Sequence, residues 1–252
     1  MSTNQTPDFL VVIPARLGST RLPRKPLADI GGKPMVVRVA ERAKESLAQS
    51  VVVATDSAEI EAVCNEHRIE CLLTSSDHPT GTDRLAQVAQ LLKLPASTLV
   101  VNLQGDEPLI PPELIYQVAQ TLANNVQCAI STIAVPISDP SEIANPNVVK
   151  VVLNRDGEAL YFSRAPIPFV RDAQSTQKTE HLRHLGIYAY RADFLQAYTK
   201  LKPVPPEQAE ALEQLRALWN GYRIAVHIAS EAPPAGVDTP EDLERVRRLL
   251  GA

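Results

Sequence analysis

The sequence predicts an α/β fold around a mostly parallel sheet, because buried strand patterns alternate with amphipathic helix patterns through its first half. Apolar runs bounded by turn residues predict strands at about 9–14, 50–55, 69–73 and 98–103. Helical patterns follow these strands at about 34–47, 57–67, 82–93 and 111–123. Successive βαβ units of this kind give a parallel sheet with helices on both faces.

The second half is less regular and predicts a smaller antiparallel lobe. Its predicted strands are at about 128–135, 147–153, 158–163, 184–190 and 223–229, and its predicted helices are at about 191–199, 206–219 and 240–250. Asp156 and Gly157 between two of these strands are typical of a hairpin turn. The polar, proline-containing segment 164–182 predicts a long mobile loop over a site. No repeat or linker divides the 252 residues, so we expect one domain.

Composition excludes several classes of protein. The chain is 44% hydrophobic and 21% charged, which is ordinary for a globular protein, and its net charge of −4 argues against general nucleic-acid binding. No apolar run reaches the roughly 18 residues of a membrane helix. The start MSTNQTPDFL has no signal-peptide pattern, so we expect a cytoplasmic protein without membrane partners. Cys64, Cys71 and Cys128 lack metal or disulfide spacing, which favours buried free thiols.

The stretch VVIPARLGSTRLPRKPL, which spans residues 11–27, predicts an anion site. It places four basic residues and no acid directly after a buried strand, namely Arg16, Arg21, Arg24 and Lys25. Gly18 lets the backbone approach a phosphate, and guanidinium groups bind phosphate oxygens in pairs. The stretch matches neither a P-loop nor a dinucleotide fingerprint. A solvated basic loop is the alternative interpretation.

Two separated aspartates predict a divalent cation opposite this loop. Asp106 follows the predicted strand 98–103, and Asp238 precedes a helix that begins with Thr239 as N-cap and Pro240. Carboxylates at such positions hold magnesium together with phosphates. Alternatively, the first aspartate belongs to an ordinary turn and the second complements the helix dipole. The pair and the basic loop together favour a metal-assisted reaction at phosphorus.

Eight segments occur in one order between about residues 9 and 250: IPARLGSTRLPRKPL, DHPTGTDR, NLQGDEP, NPNVVKVV, LYFSRAPIP, RHLGIYAYR, LEQLR and GVDTPEDLERV. Together they resemble the 3-deoxy-manno-octulosonate cytidylyltransferase (CMP-Kdo synthetase) family. Other sugar nucleotidyltransferases share the first segment but not FSRAPIP or HLGIYAY. The resemblance implies a three-layer Rossmann-like nucleotide-diphospho-sugar transferase fold. It divides the chain into a nucleotide-binding half at about 9–125, a sugar-binding and dimerisation lobe at about 126–235, and a C-terminal metal-ligand segment at 236–252.

The resemblance also implies the reaction CTP + Kdo → CMP-Kdo + pyrophosphate, which supplies lipopolysaccharide biosynthesis. Magnesium is the implied cofactor, the partners are the small molecules CTP and Kdo, and a homodimer is the implied assembly. A magnesium-activated sugar hydroxyl makes a protein general base unnecessary. Two alternatives stay open. One is a CMP-sialic acid synthetase or another sugar nucleotidyltransferase, and the other is a non-catalytic nucleotide-binding module.

Carried over by position, the resemblance assigns roles to individual residues. The implied triphosphate ligands are Arg16, Ser19, Arg21 and Lys25. Lys25 would stabilise the charge on the α-phosphate, so that the implied catalytic residues are Lys25, Arg16, Asp106 and Asp238. The two aspartates would bind magnesium. The implied cytosine and ribose pocket contains Thr74, His78, Gly81, Arg84 and Gln104. The implied sugar ligands are Arg164, His184, Tyr188, Glu213 and Gln214.

Some positions depart from the family pattern or suggest only structural roles. HPTGTDR stands where HQSGTER is expected, and Arg24 stands where the family often has glycine. His181 and His184 are three residues apart, but we favour structural roles over a zinc pair. Trp219 lies on the apolar side of the predicted helix 206–219, which predicts a core or dimer-interface position.

Overall fold

The computed structural model describes residues 6–18, 21–172 and 180–251. The strands are β1 (Phe9–Ala15), β2 (Ser50–Thr55), β3 (Glu70–Leu73), β4 (Leu99–Asn102), β5 (Ile130–Pro136), β6 (Lys150–Leu153), β7 (Ala159–Ser163), β8 (Leu182–Arg191) and β9 (Ile224–Ile228). The helices are α1 (Met35–Lys44), α2 (Ala58–Glu66), α3 (Gly81–Leu91), α4 (Pro112–Asn124), α5 (Ser141–Ala144), α6 (Ala192–Tyr198), α7 (Pro205–Glu210), α8 (Gln214–Trp219) and α9 (Pro240–Leu249), and Lys25–Leu27 form a 3-10 turn.

The strands form one mixed sheet in the order β3-β2-β1-β4-β8-β5-β9, with β6 bound to β8 and β7 bound to β6. The first four strands in this order are parallel, and β8 is antiparallel to both β4 and β5. The hairpin of β6 and β7 is antiparallel, with Gly157 at φ +77° in its turn. The sequence prediction of an α/β fold with an antiparallel lobe is therefore confirmed.

The central strands are buried because helices cover both faces of the sheet. On β1, Phe9, Val11 and Ile13 face the layer that contains α1 and α4, whereas Leu10 and Val12 face the layer that contains α3 and α6. Continuous apolar strands of this type are typical of parallel sheets covered on both sides. Within the described ranges, no helix combines the length and apolarity needed to cross a membrane.

One predicted helix of the second half was wrong in detail, and one alternative for Trp219 is excluded. The predicted helix 206–219 is divided into α7 and α8 by Ala211, which has φ +50°. The guanidinium Nε of Arg164 donates to the Glu210 carbonyl at 2.6 Å. This carbonyl therefore accepts from a side chain and not from a backbone N–H of a following helical turn. Trp219 is 62% exposed, which excludes the core position and leaves the dimer-interface alternative as a prediction.

Other predictions were tested only in part. Cys64 and Cys128 are buried free thiols, as predicted, whereas Cys71 is only partly buried. The predicted mobile loop 164–182 includes residues 173–179, which lie outside the described residues. Its last residue, Leu182, is already the first residue of β8.

A buried ion pair joins α7 to α8. Arg216 donates from Nε to a Glu207 carboxylate oxygen at 2.8 Å and from Nη2 to the other oxygen, and both side chains are 9% exposed. The same guanidinium lies 4.6 Å from the centre of the Tyr198 ring. Removing one member of a buried pair leaves the other charge without a partner, and this is strongly destabilising.

We therefore expect Glu207→Gln to lower the free energy of unfolding by about 3 kcal/mol, measured by urea denaturation. Glu45→Gln is the matched control, because the Arg42–Glu45 pair (2.7 Å) is solvent-exposed and should contribute less than about 1 kcal/mol. If both variants lost the same free energy of unfolding, the buried Glu207–Arg216 pair would stabilise the fold no more than the exposed pair, which would contradict this prediction.

Candidate active site

A cavity of about 650 Å³ lies at the carboxyl ends of β1 and β4. Most residues that the sequence predicts for a functional site line it, namely Arg16, Arg21, Lys25, His78, Gly81, Arg84, Gln104, Asp106, His184, Tyr188, Glu213, Gln214 and Asp238. Thr74 and Arg164 are not among the lining residues, and Ser19 lies outside the described residues. The parallel sheet thus brings together segments that are far apart in sequence.

The Lys25 ammonium group lies between the two predicted metal ligands. Its Nζ donates to Asp106 Oδ2 at 2.6 Å, to Asp238 Oδ1 at 3.1 Å and to the Val237 carbonyl at 3.0 Å. Arg21 lies 3.4 Å from the other Asp238 oxygen. Burial lowers the pKa of Lys25, but hydrogen bonds and charges from Asp106 and Asp238 outweigh it, so that the pKa lies above its ordinary value. Lys25 is therefore a fixed cation.

Backbone contacts hold the two aspartates near each other. The Val237 N–H donates to the Asp106 carbonyl at 2.8 Å. Gly236 makes this approach possible, because a Cβ there would lie 2.9 Å from the Asp106 carbonyl oxygen. The Asp242 carboxylate accepts from the Asp238 and Thr239 N–H groups at 3.1 Å each. Thr239 is the N-cap of α9, as predicted, since its Oγ1 accepts from the Asp242 N–H at 3.2 Å, and the Asp238 carboxylate faces Lys25.

Glu107 is a partly buried carboxyl group next to Asp106. Burial, followed by the charges of Asp106 and Asp238, raises the pKa of Glu107 to about 7. Such a shift reports an environment that disfavours further negative charge. A cation beside Asp106 and Asp238 would reduce the part of this shift that comes from their charges and leave the larger part, which comes from burial.

Buried hydrogen bonds hold residues of the predicted cytosine and ribose pocket in place. The Arg84 guanidinium is 3% exposed and donates to Thr74 Oγ1 and to Asp56 Oδ2, the latter at 3.0 Å. Thr74 thus supports Arg84 instead of lining the cavity. His78 Nε2 lies 2.5 Å from Gln87 Oε1, a contact that fixes the ring of His78. The sequence reasoning did not single out Gln87, although it lies on α3 nine residues after His78.

Gln104 is positioned by a glycine on the neighbouring strand. Its Nε2 donates to the Gly186 carbonyl at 3.0 Å, and a Cβ on Gly186 would lie 2.5 Å from that same nitrogen. Gly186 therefore has a packing role in the HLGIYAY segment.

On the same strand, His184 Nε2 lies 2.9 Å from Thr132 Oγ1. Across the cavity, Glu213 accepts from Thr82 Oγ1 at 3.3 Å.

Arg164 stabilises the cavity wall by donating hydrogen bonds to backbone carbonyls. In addition to the Glu210 carbonyl, its guanidinium donates to the Pro146 carbonyl at 2.9 Å. Its own carbonyl accepts from Lys150, whose fully buried Nζ also donates to the carbonyls of Asn145 and Val148 at 3.0 and 2.5 Å. This arrangement fixes the α7–α8 break, from which Glu213 and Gln214 reach the cavity. The role predicted for Arg164 as a ligand of the sugar carboxylate stays a prediction.

The structure also explains Arg24, whose function the sequence left open. Its φ is +58°, in the left-handed region that favours glycine, and it immediately precedes the 3-10 turn that begins at Lys25. Its guanidinium makes a two-pronged ion pair with Glu59 at the start of α2, with Nη1–Oε2 at 2.9 Å. The ion pair ties the backbone next to Lys25 to α2.

Sequence reasoning missed several residues that line the deep end of the cavity, namely Asn102, Ile130, Tyr190, Phe194 and Tyr198. The period of two along β8 could have identified Tyr190, since His184, Gly186 and Tyr188 lie on the same face. The α6 residues gave no comparable signal, because buried aromatic residues at helical spacing are typical of a core.

Comparisons with known proteins define the class. The family model for cytidylyltransferases matches residues 10–224, so the class of this enzyme is cytidylyltransferase. A cytidylyltransferase from Leptospira borgpetersenii serovar Hardjo-bovis has the same fold, with a TM-score of 0.63 and 17% identity over 97% of this chain and 87% of that one.

More similar relatives narrow the class to one family. Proteins named 3-deoxy-manno-octulosonate cytidylyltransferase from Polynucleobacter necessarius subsp. necessarius and Polynucleobacter asymbioticus are each 84% identical over 98% of this chain and 97% of their own length. A solved CMP:2-keto-3-deoxy-manno-octonic acid synthetase complexed with CTP has a TM-score of 0.90 and 44% identity, covering 97% of this chain and 98% of that one. The chain belongs to the 3-deoxy-manno-octulosonate cytidylyltransferase family.

The environment of His184 predicts a pH dependence of stability. Burial lowers the pKa of His184 to about 3, whereas an unfolded histidine titrates near 6.5. As the pH falls below about 6.5, the unfolded chain takes up a proton that the folded protein does not, so that folding stability decreases. Between pH 7 and pH 5, we expect His184→Gln to lose about 2 kcal/mol less unfolding free energy than the wild type. Parallel pH profiles for the two proteins would contradict this, and His67→Gln at the end of α2 is the control.

Proposed function

We propose that the enzyme transfers CMP from CTP to Kdo and releases pyrophosphate. The observation that carries the proposal is the Lys25 ammonium group held between Asp106 and Asp238, next to the arginines of the first loop. The names of the 84% identical relatives and the CTP complex of the related synthetase support the choice of both substrates.

The charges of the cavity suit two anionic substrates. CTP carries a triphosphate and Kdo carries a carboxylate, so both must be brought together against their mutual repulsion. Arg16, Arg21 and Lys25 line the same end of the cavity and offset that repulsion. We assign this end to the triphosphate, because guanidinium groups bind phosphate oxygens in pairs and lysine acts as a point charge.

Asp106 and Asp238 are the proposed magnesium ligands. Oxygens of both carboxylates converge on one ammonium nitrogen, and this closeness supports a shared cation as their ligand. No group of three or more candidate ligands converges within residues 6–18, 21–172 and 180–251. Two carboxylates completed by substrate phosphates are a usual magnesium arrangement. Magnesium, when bound, neutralises phosphate charge and orients the phosphate oxygens.

The protein residues then have separate tasks in the transfer. The anomeric oxygen of Kdo forms a bond to the α-phosphorus, the bond from that phosphorus to the oxygen bridging to the β-phosphate breaks, and the hydroxyl proton leaves to water. Lys25, whose pKa is raised by its two carboxylate neighbours, stays protonated and stabilises the negative charge that develops. His184 and Tyr188 line the same cavity, and we place the sugar against them, whereas Gln104 keeps its proposed place in the nucleotide pocket.

We further propose a cytoplasmic homodimer that supplies CMP-Kdo for lipopolysaccharide. CTP is a cytoplasmic nucleotide, and the family name implies the sugar product. Exposed Trp219 and Leu160, at 62% and 59%, lie on the contacting elements α8 and β7, and they support an interface there. Sedimentation velocity measures this assembly directly.

The activity is tested by pyrophosphate release. We expect release to require CTP, Kdo and magnesium together, and to stop when EDTA is added. Turnover without Kdo would contradict the assigned acceptor. Preference for sialic acid over Kdo would favour the related sialic acid enzymes, and CTP binding without any turnover would indicate a nucleotide-binding module.

Variants test the proposed metal ligands. Asp106→Asn and Asp238→Asn should each lower kcat by about 100-fold or more, because an amide cannot replace the charge of a carboxylate at magnesium. Glu241→Gln is the control, since it lies in the first turn of α9 and does not line the cavity. Wild-type turnover in either asparagine variant would remove that residue from the metal site.

A further inference from the structure

The hydrogen bonds around His78 determine which nitrogen of its ring carries the hydrogen. His78 Nε2 lies 2.5 Å from Gln87 Oε1, and the same oxygen accepts from the Ser75 backbone N–H at 2.9 Å. A backbone N–H can only donate, so the Gln87 atom that it contacts is the amide oxygen and not the amide nitrogen. An amide oxygen can only accept, and His78 Nε2 is therefore the donor in its contact with Gln87.

This assignment leaves the second ring nitrogen of His78 as an acceptor. In a neutral imidazole, one nitrogen carries the hydrogen and the other carries a lone pair. With the hydrogen on Nε2, the lone pair is on Nδ1. In the part of the chain that the structure describes, Nδ1 has no hydrogen-bond partner. His78 lines the cavity, whereas Gln87 is not a lining residue. Gln87 thus holds the ring from outside the cavity, and Nδ1 stays available to a ligand.

The order of the strands indicates which part of the nucleotide lies beside His78. In the sheet, β3 and β2 lie on one side of β1, and β4 and β8 lie on the other. The triphosphate is assigned to the loop after β1, and the sugar to the residues of β8. His78 follows β3, and a Cβ on nearby Gly81 would lie 3.8 Å from Pro14 of β1. The nucleoside is the third group attached at the α-phosphorus, and the β3 side is the one left for it.

An acceptor with a fixed position suits the amino group of cytosine. The amino group at C4 of cytosine donates, whereas a carbonyl oxygen at the same position, as in uracil, only accepts. A ribose hydroxyl both donates and accepts, so it would bind either tautomer of His78 and would not need Gln87 to fix one of them. A lone pair held on Nδ1 therefore favours cytosine and disfavours uracil.

We infer that Gln87 is a positioning residue for base selection, which holds His78 in the Nε2–H tautomer so that Nδ1 accepts from the 4-amino group of CTP. The inference rests on the proposed function and adds to it a contact by which the enzyme selects cytosine nucleotides. Gln87 acts through His78 and does not touch the nucleotide itself. Replacing Gln87 should therefore change the preference for the base more than the affinity for the triphosphate.

The test is a binding cycle of two proteins and two nucleotides. Wild type and Gln87→Met are each titrated by calorimetry, with magnesium and without Kdo, using CTP and its analogue in which hydrogen replaces the 4-amino group. Wild type should bind the analogue about tenfold more weakly than CTP, because the analogue leaves the Nδ1 lone pair without a donor. In Gln87→Met the ring is no longer held in one tautomer, and the ratio of the two Kd values should be about threefold smaller or less.

Nuclear magnetic resonance tests the tautomer of His78 without relying on a Gln87 variant. In ¹⁵N-labelled protein at about pH 8.5, where an ordinary histidine is neutral, the nitrogen that carries the hydrogen and the one that carries the lone pair have different chemical shifts. The signals of His78 are assigned by their loss in His78→Asn. We expect the hydrogen on Nε2 in wild type and a mixture of both tautomers in Gln87→Met.

Gln90→Met is the matched control for the loss of an amide from α3. Gln90 lies three residues after Gln87, donates to Gln196 at 2.5 Å and does not line the cavity. The control should therefore keep the wild-type ratio of the two Kd values and the wild-type tautomer of His78. The same change in Gln90→Met as in Gln87→Met would show a general effect on α3 and would contradict the inference.

Three further results would overturn the inference while leaving the proposed function intact. These are hydrogen on Nδ1 of His78 in wild type, equal binding of CTP and the analogue by wild type, and an unchanged ratio of Kd values in Gln87→Met. Absence of pyrophosphate release from CTP and Kdo would instead overturn the proposed function. The binding cycle keeps the two failures apart, because it requires no turnover.

Discussion

The ammonium group of Lys25 links three distant parts of the chain at one point. It contacts Asp106 after β4, Asp238 before α9, and the carbonyl of Val237, while its own backbone belongs to the loop after β1. Each contact depends on local structure. Gly236 permits the close approach to Asp106, Asp242 accepts a hydrogen bond from the Asp238 backbone, and Arg24 fixes the turn through Glu59. The site therefore exists only when the sheet and both ends of the chain are assembled.

Charge divides the cavity into two ends with different tasks. The end at the first loop is lined by arginine and lysine and suits phosphate, whereas Glu213 and tyrosine hydroxyls lie at the other end. The second end depends on the break between α7 and α8, which Arg164 and Lys150 stabilise through backbone carbonyls. Cationic side chains thus line the end that we propose for the phosphates, whereas Arg164 and Lys150 hold the wall in place at the end that we propose for the sugar.

Sequence patterns predicted most of the architecture, because apolar strands and helical periods are local properties. Apart from the division of 206–219, each long predicted element is found within a few residues of its expected bounds. The basic loop and the two aspartates were also visible, since parallel strands bring their carboxyl ends to one edge. Long-range contacts were not visible. The ion pair of Arg24 with Glu59, the α7–α8 break beside Arg164, and the exposure of Trp219 depend on neighbours that are distant in sequence.

The central claim is that Asp106, Asp238 and the basic loop act as one site for a metal–triphosphate complex. Binding of Mn²⁺, which prefers the same oxygen ligands as Mg²⁺, measures this directly by electron paramagnetic resonance. Because Lys25 lies between the two carboxylates, Mn²⁺ alone should bind weakly, and CTP should tighten its binding by about tenfold or more. In Asp106→Asn this increase should disappear. Equally tight Mn²⁺ binding with and without CTP, or an unchanged increase in Asp106→Asn, would contradict the account.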